Sequence, residues 1–168
     1  MPNHWHFVLW PEADRELSHF MHQLTTTHVR RWHKAHHSEG TGHVYQGPFK
    51  SFPVENDDHL FTVCRYAERN AVRGGLVKRA EDWVWGSTWA HLHPEDRRAL
   101  PLCPWPVSRP EDWLTRVNEP LTGPELEALR RCSERGRPFG SRDWVKMTAD
   151  ELGLQHTLRD RGRPRKRS

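Results

Sequence analysis

Two histidines stand one residue apart near the start of the chain, His4 and His6 in MPNHWHFVLW (residues 1 to 10). The run from Trp5 to Trp10 alternates weakly and then turns apolar until Pro11, a pattern that predicts a strand. Residues two apart on a strand project to one face, so His4 and His6 would stand side by side with Trp5 on the other. Neutral imidazoles placed that way can share one metal ion. The spacing alone is unspecific, because 13 histidines also give a second such pair at His91 and His93, and a surface or packing role stands beside the ligand role.

A nucleophile to work beside a metal has few candidates. The chain has only two tyrosines, Tyr45 and Tyr66. Tyr66 falls in ENDDHLFTVCRYAERNAVRGGL (55 to 76), where Asn56, Asp57 and Asp58 are capping candidates and Gly74-Gly75 a stop, so residues 58 to 73 are predicted to be helical. With Leu60 at zero and about 100 degrees per residue, Val63, Cys64, Ala67 and Ala71 make the buried stripe. Tyr66 then lies near 240 and Asn70 near 280 degrees, one turn apart on the margin of that stripe. Arg65 and Arg69 point away, toward solvent or a phosphate backbone. A wet margin tyrosine is the plain alternative for Tyr66.

The other elements have to position these groups. Leu17, Phe20, Met21, Leu24, His28 and Trp32 recur at helical spacing and predict an amphipathic helix over residues 14 to 37. SEGTGH (38 to 43) is a turn, and HVYQGPFKSFPV (43 to 54) reads as a hairpin or kinked strand with Pro48 at an edge. Residues 81 to 121, rich in Trp and Pro, look like a wrapped connector stabilised by aromatic burial. Helices are expected from Thr122 to Glu134, with Pro124 in the first turn, and from Ser141 to Leu152.

Composition narrows the class. With 168 residues, 35% apolar content and a mean hydropathy of −0.93, the chain has one modest core and no run resembling a membrane span or a secretory leader. That reads as a cytoplasmic protein with no membrane partner. Cys64, Cys103 and Cys132 have no metal-ligand spacing. The net charge of +4 is concentrated in residues 159 to 168, which carry six basic residues and one acid and leave the rest of the chain at −1. A basic, Gly- and Pro-containing end of this kind cannot fold alone and suits a polyanion, with a merely solubilising tail as the alternative.

Taken in order, MPNHWHFVLW, HVYQGPFKSFPVENDDHL, RYAERNAVRGGLV, WVWGSTWAHL and RGRPFGSRDW resemble the REP-associated tyrosine transposases, a branch of the single-tyrosine HUH transposases. The resemblance implies that His4 and His6 bind a divalent metal, Mg2+ or Mn2+, with Asn70 as the third, polar ligand and Tyr66 as the nucleophile. It implies single-stranded DNA cleavage and rejoining at small palindromic hairpins through a 5'-phosphotyrosine link. Lys50, Arg69 and Arg73 would contact phosphates in the body of the protein. The terminal RGRPRKR resembles an AT-hook core, with Arg161, Arg163, Arg165 and Lys166 as nucleic-acid contacts. A nucleoid-associated location follows.

The fold implied is a ferredoxin-like α+β sandwich, an antiparallel sheet packed with helices, followed by a C-terminal helical extension and a basic tail. The division expected is a partial catalytic core over residues 1–80, the connector over 81–121, a helical region over 122–156 and a disordered tail over 157–168. Family members carry a strand, a helix and a second strand ahead of the Met-Pro-Asn-His segment, so the sheet is expected to be N-terminally incomplete. Where the family usually has proline, this chain has Ala71, which a helix tolerates better. The chain would act as a monomer or homodimer. Two other readings stand: a truncated, inactive hairpin-binding remnant, and a metal hydrolase or zinc module independent of Tyr66 that could use His91 and His93.

Overall fold

A computed structural model of the chain describes residues 4–159. Arg161, Arg163, Arg165 and Lys166, and with them the tail resembling an AT-hook, lie outside the described residues. The described residues form two compact units, residues 9–50 and residues 4–8 together with 51–159.

The 9–50 unit is built on one helix, α1 (Glu16–His36). Its start is held by the Glu16 carboxylate, which accepts from the backbone N–H groups of Glu12 at 2.7 Å and Ala13 at 3.1 Å. Its end turns at His37 in the left-handed region, φ 48°, where the backbone N–H closes on the carbonyl of His33. The amphipathic spacing produced the helix but little burial, since Met21 alone in α1 is buried.

The larger unit contains α2 (Asp58–Glu68), α3 (Asn70–Arg73), a single 3-10 turn (Ala80–Asp82), α4 (Ser87–Leu92), α5 (Trp113–Asn118), α6 (Gly123–Arg135), α7 (Arg142–Glu151) and α8 (Gln155–Leu158). Helix α2 starts where the Asp57 side chain accepts from the His59 N–H at 2.8 Å. Helix α6 has a full capping box: the Thr122 hydroxyl accepts from Glu125 N–H while the Glu125 carboxylate accepts from Thr122 N–H at 2.6 Å, and Gly136 closes the far end at φ 67°.

Two apolar clusters support α2. On one side Leu60, Cys64, Ala80, Trp113 and Val117 are buried together, with Phe61 and Trp105 packed against them. The Trp105 and Trp113 rings meet edge to face at 4.9 Å. On the other side Val63 packs with Leu121 and Leu129, flanked by Tyr66, Leu126 and Phe139. The core is thus formed by α2 with residues 105–139, and the expected connector supplies much of it.

No strand is formed among the described residues; a lone parallel bridge joins Val54 to Phe139. The ferredoxin-like antiparallel sheet is therefore corrected: the fold is helical. Alternation marks a strand only when one face is buried on a neighbouring ladder. Phe7, Val8, Leu9 and Trp10 are instead all exposed, so successive side chains bury neither face. The expected hairpin over 43–54 fails for a related reason. Pro48 and Pro53 remove ladder donors, and residues 44–47 form bends.

The Val54 bridge is short but closely fitted. Glu55 N–H donates to the Phe139 carbonyl at 2.9 Å and Phe139 N–H to the Pro53 carbonyl at 2.9 Å. Beside it, a Cβ on Gly140 would lie 2.5 Å from the Trp144 ring and 2.8 Å from Cβ of Glu55, an approach only glycine permits.

Candidate active site

Helix α2 and the short α3 are separated by a single residue, Arg69 (φ −81°, ψ −2°), in place of one unbroken helix. The break leaves the order of faces intact. Leu60, Val63, Cys64 and Ala71 are buried as the periodicity predicts, while Ala67 is half-buried. Asn70 lies deeper than a margin position, at 3% exposure, and so needs a partner for each end of its amide.

Those partners join the predicted site residues. Asn70 Nδ2 donates to His4 Nε2 at 3.0 Å, which requires that imidazole nitrogen to be unprotonated. Asn70 Oδ1 accepts from Arg73 Nη2 at 2.8 Å. The same Nη2 donates to the Tyr66 hydroxyl at 3.2 Å, and the guanidinium carbon lies 4.8 Å from the Tyr66 ring centre. His6 completes the group, its ring edge-on to Tyr66 at 5.2 Å and to His4 at 5.0 Å. His4, His6, Tyr66 and Asn70 are thus brought together, with Arg73 at their centre.

The electrostatics keep both imidazoles neutral. Desolvation lowers the His4 pKa, and the positive charge of Arg73 adds to it. His6 keeps an open edge to solvent, yet its crowded ring is pushed down to about 4, by desolvation first and then by His4 and Arg73. Neutral imidazoles offer lone pairs, and two of them beside a side-chain amide are a donor set that fits a divalent ion. In that role His4, His6 and Asn70 would be the holders.

Arg65 and Arg69 are both drawn into the fold instead of pointing away. Arg65 Nε donates to the Arg116 carbonyl at 3.1 Å, and its guanidinium pairs with Glu125 at 3.5 Å. Arg69 Nε donates to the Asn118 carbonyl at 3.3 Å. Its side chain also lines, with Tyr66, Arg73, Leu121 and Leu126, a cavity of about 120 Å³ beside the phenol. Lys50 is exposed in the 9–50 unit. Tyr45, the other tyrosine, pairs through its hydroxyl with His28 Nδ1 at 2.6 Å in that unit.

The second histidine pair is not arranged for shared ligation. His93 is stacked on Trp89 at 4.5 Å, and its Nδ1 donates to the Trp89 carbonyl at 3.0 Å. His91 lies on α4, half-buried. A different group, Glu55, Asp57 and His59, holds its potential ligand atoms within 4.8 Å of one another. Its members already have structural duties: Glu55 accepts from Ser141 N–H at 2.5 Å, and Asp57 caps α2. Burial would raise the Asp57 pKa, but the backbone and side-chain hydrogen bonds from His59 outweigh it and hold the carboxyl below its usual range.

Two contributions were missed in the sequence. Arg73 was read only as a phosphate contact, although its offsets of three from Asn70 and seven from Tyr66 place all three along one helical face. Glu68 was passed over. It is buried, and its carboxylate accepts from Ser87 Oγ at 2.7 Å, Thr88 Oγ1 at 2.7 Å and Trp113 Nε1 at 2.8 Å. Its position eight residues after Leu60, on the edge of the apolar stripe, was the available signal.

No helix among the described residues is long and apolar enough to cross a membrane. No curated protein matches the chain, and no solved structure does. Residues 1–70 match the family model described as "Transposase IS200 like". That stretch holds His4, His6, Tyr66 and Asn70 together, and over it the chain is similar to the IS200-like transposases.

Proposed function

We propose that the protein nicks and rejoins single-stranded DNA at palindromic hairpins of the repetitive extragenic type, with Tyr66 as nucleophile. The observation that carries this reading is the contact of one tyrosine, two neutral histidines and one asparagine, drawn from residues 66 positions apart, in a single polar cluster. A divalent ion, Mg2+ or Mn2+, held by His4, His6 and Asn70, would supply Lewis-acid polarisation of the phosphate. The protein's own groups do the rest. The Tyr66 oxygen attacks phosphorus, the bond to the 3' oxygen breaks, the phenol proton leaves to water and the 3' oxygen gains a proton. The product is a 5'-phosphotyrosine link and a free 3'-hydroxyl, and attack by that hydroxyl reverses the step. Arg73, which donates to the phenol oxygen at 3.2 Å, holds Tyr66 within the cluster before the step. Arg69 and Arg73 border the cavity beside Tyr66, and with Lys50 and the basic tail they supply cations for the phosphate chain.

The test is a labelled hairpin oligonucleotide incubated with Mn2+ and resolved under denaturing conditions. A protein–DNA adduct is expected with the full chain and none with Tyr66→Phe. Equal nicking by both proteins would overturn the tyrosine mechanism, and hairpin binding without any nicking would favour the binding remnant.

A further inference from the structure

Both ends of the Asn70 amide are engaged, and in the opposite sense from the one a cation requires. A side-chain amide ligates a cation through its oxygen and not through its NH2 group. Here the nitrogen faces His4 Nε2, at 3.0 Å, and the oxygen faces Arg73 Nη2, at 2.8 Å. Turning the amide over would aim its oxygen toward the histidines, but would also set its NH2 against the Arg73 guanidinium, donor against donor. The two arrangements therefore exclude each other unless Arg73 moves. Asn70 has no easy intermediate, because at 3% exposure it cannot exchange either partner for bulk water. Arg73 can move: it is exposed, at the last position of α3.

We propose that Arg73 is a latch on the third metal ligand, holding the Asn70 oxygen away from His4 and His6 until a divalent cation displaces it. One nitrogen, Nη2, holds both the Asn70 oxygen and the Tyr66 hydroxyl. Release from Asn70 therefore also frees Tyr66 from its tether and sends a guanidinium toward solvent, where a DNA phosphate can take it up. Cation binding and phosphate binding are in this way coupled through one side chain. Arg73 is a positioning residue in this scheme, acting through Asn70 and Tyr66. The inference rests on the reading that His4, His6 and Asn70 hold a divalent ion.

The test titrates Mn2+ alone into the full chain and follows the free-ion signal by electron paramagnetic resonance, with no DNA present. Arg73→Met, Asn70→Ala, the double variant and His4→Ala are compared with the unaltered chain. Arg73→Met is expected to tighten Mn2+ binding about tenfold, the scale of one hydrogen bond to a charged group. In the Asn70→Ala background the same change should give only the smaller gain due to removing a positive charge. An equal gain in both backgrounds, or no gain at all, would overturn the latch while leaving the metal site in place. Mn2+ binding that ignores His4→Ala would overturn the metal site itself, and the latch with it. The Asn70 side-chain NH2 resonances give a second readout: Mn2+ titration should broaden them, and Arg73→Met should shift them before any metal is added.

Discussion

Glu68 and Asn70 are polar groups two residues apart, on either side of the Arg69 break between α2 and α3, both at least nine-tenths buried, and they are held in contrasting ways. Glu68 accepts three hydrogen bonds from Ser87, Thr88 and Trp113, two of which are buried themselves. Nothing there is left to exchange. Asn70 is bound on one side by a neutral imidazole and on the other by an exposed arginine. A buried polar group with an exchangeable partner can change state, whereas one sealed on all sides only fixes geometry. On this comparison the Glu68 cluster is the frame and the Asn70 cluster the working part.

Several substitutions would break or sharpen the contrast. The largest effect is expected from Tyr66→Phe, which should reduce the covalent DNA adduct to background while leaving the far-UV circular dichroism spectrum unchanged. Glu68→Ala strands three donors in the core and should cost roughly 3–5 kcal/mol in urea unfolding; a loss below about 1 kcal/mol would show that the frame lies elsewhere. Thr122→Ala removes one half of the α6 capping box and should cost about 1 kcal/mol by the same measurement. Arg73→Met takes the donor from the buried Asn70 oxygen and should cost about 1 kcal/mol, well under the Glu68→Ala loss. A larger loss would make Arg73 part of the frame.

The smallest effect concerns acid. Burial raises the Glu81 pKa, but hydrogen bonds from Asn118, its own backbone and Arg79 outweigh that and lower it from 4.5. A carboxylate with a depressed folded pKa contributes stability above its unfolded pKa, and that contribution is lost as pH falls through the folded value. The stability gap between the unaltered chain and Glu81→Gln should therefore be full near neutrality and close below about 4.5. A gap that stays constant down to pH 2 would remove Glu81 from the ionised network.

What could be read in advance divides along physical lines. The starts of α2 and α6 were legible because caps are local: Asp57, and Thr122 with Glu125, act within a turn of themselves. The association of His4 and His6 with Tyr66 and Asn70 came from the family resemblance, since no local pattern links residues 66 apart. The strand at residues 5–10 was misread because alternation describes a chain that could pair, while pairing depends on a ladder elsewhere. The inward turn of Arg69 was hidden for a similar reason. It depends on the Asn118 carbonyl, 49 positions on, and no sequence signature ties the two together.

The hydrogen bond from Trp113 to Glu68 spans 45 positions of chain. A ribosome adding about 5–20 residues per second would complete the tyrosine helix roughly 2–9 seconds before the indole that seals its carboxylate exists. During that interval Leu60 and Cys64 would face water with no α5 to cover them, and the segment that later carries the nucleophile would be open to chaperones and proteases.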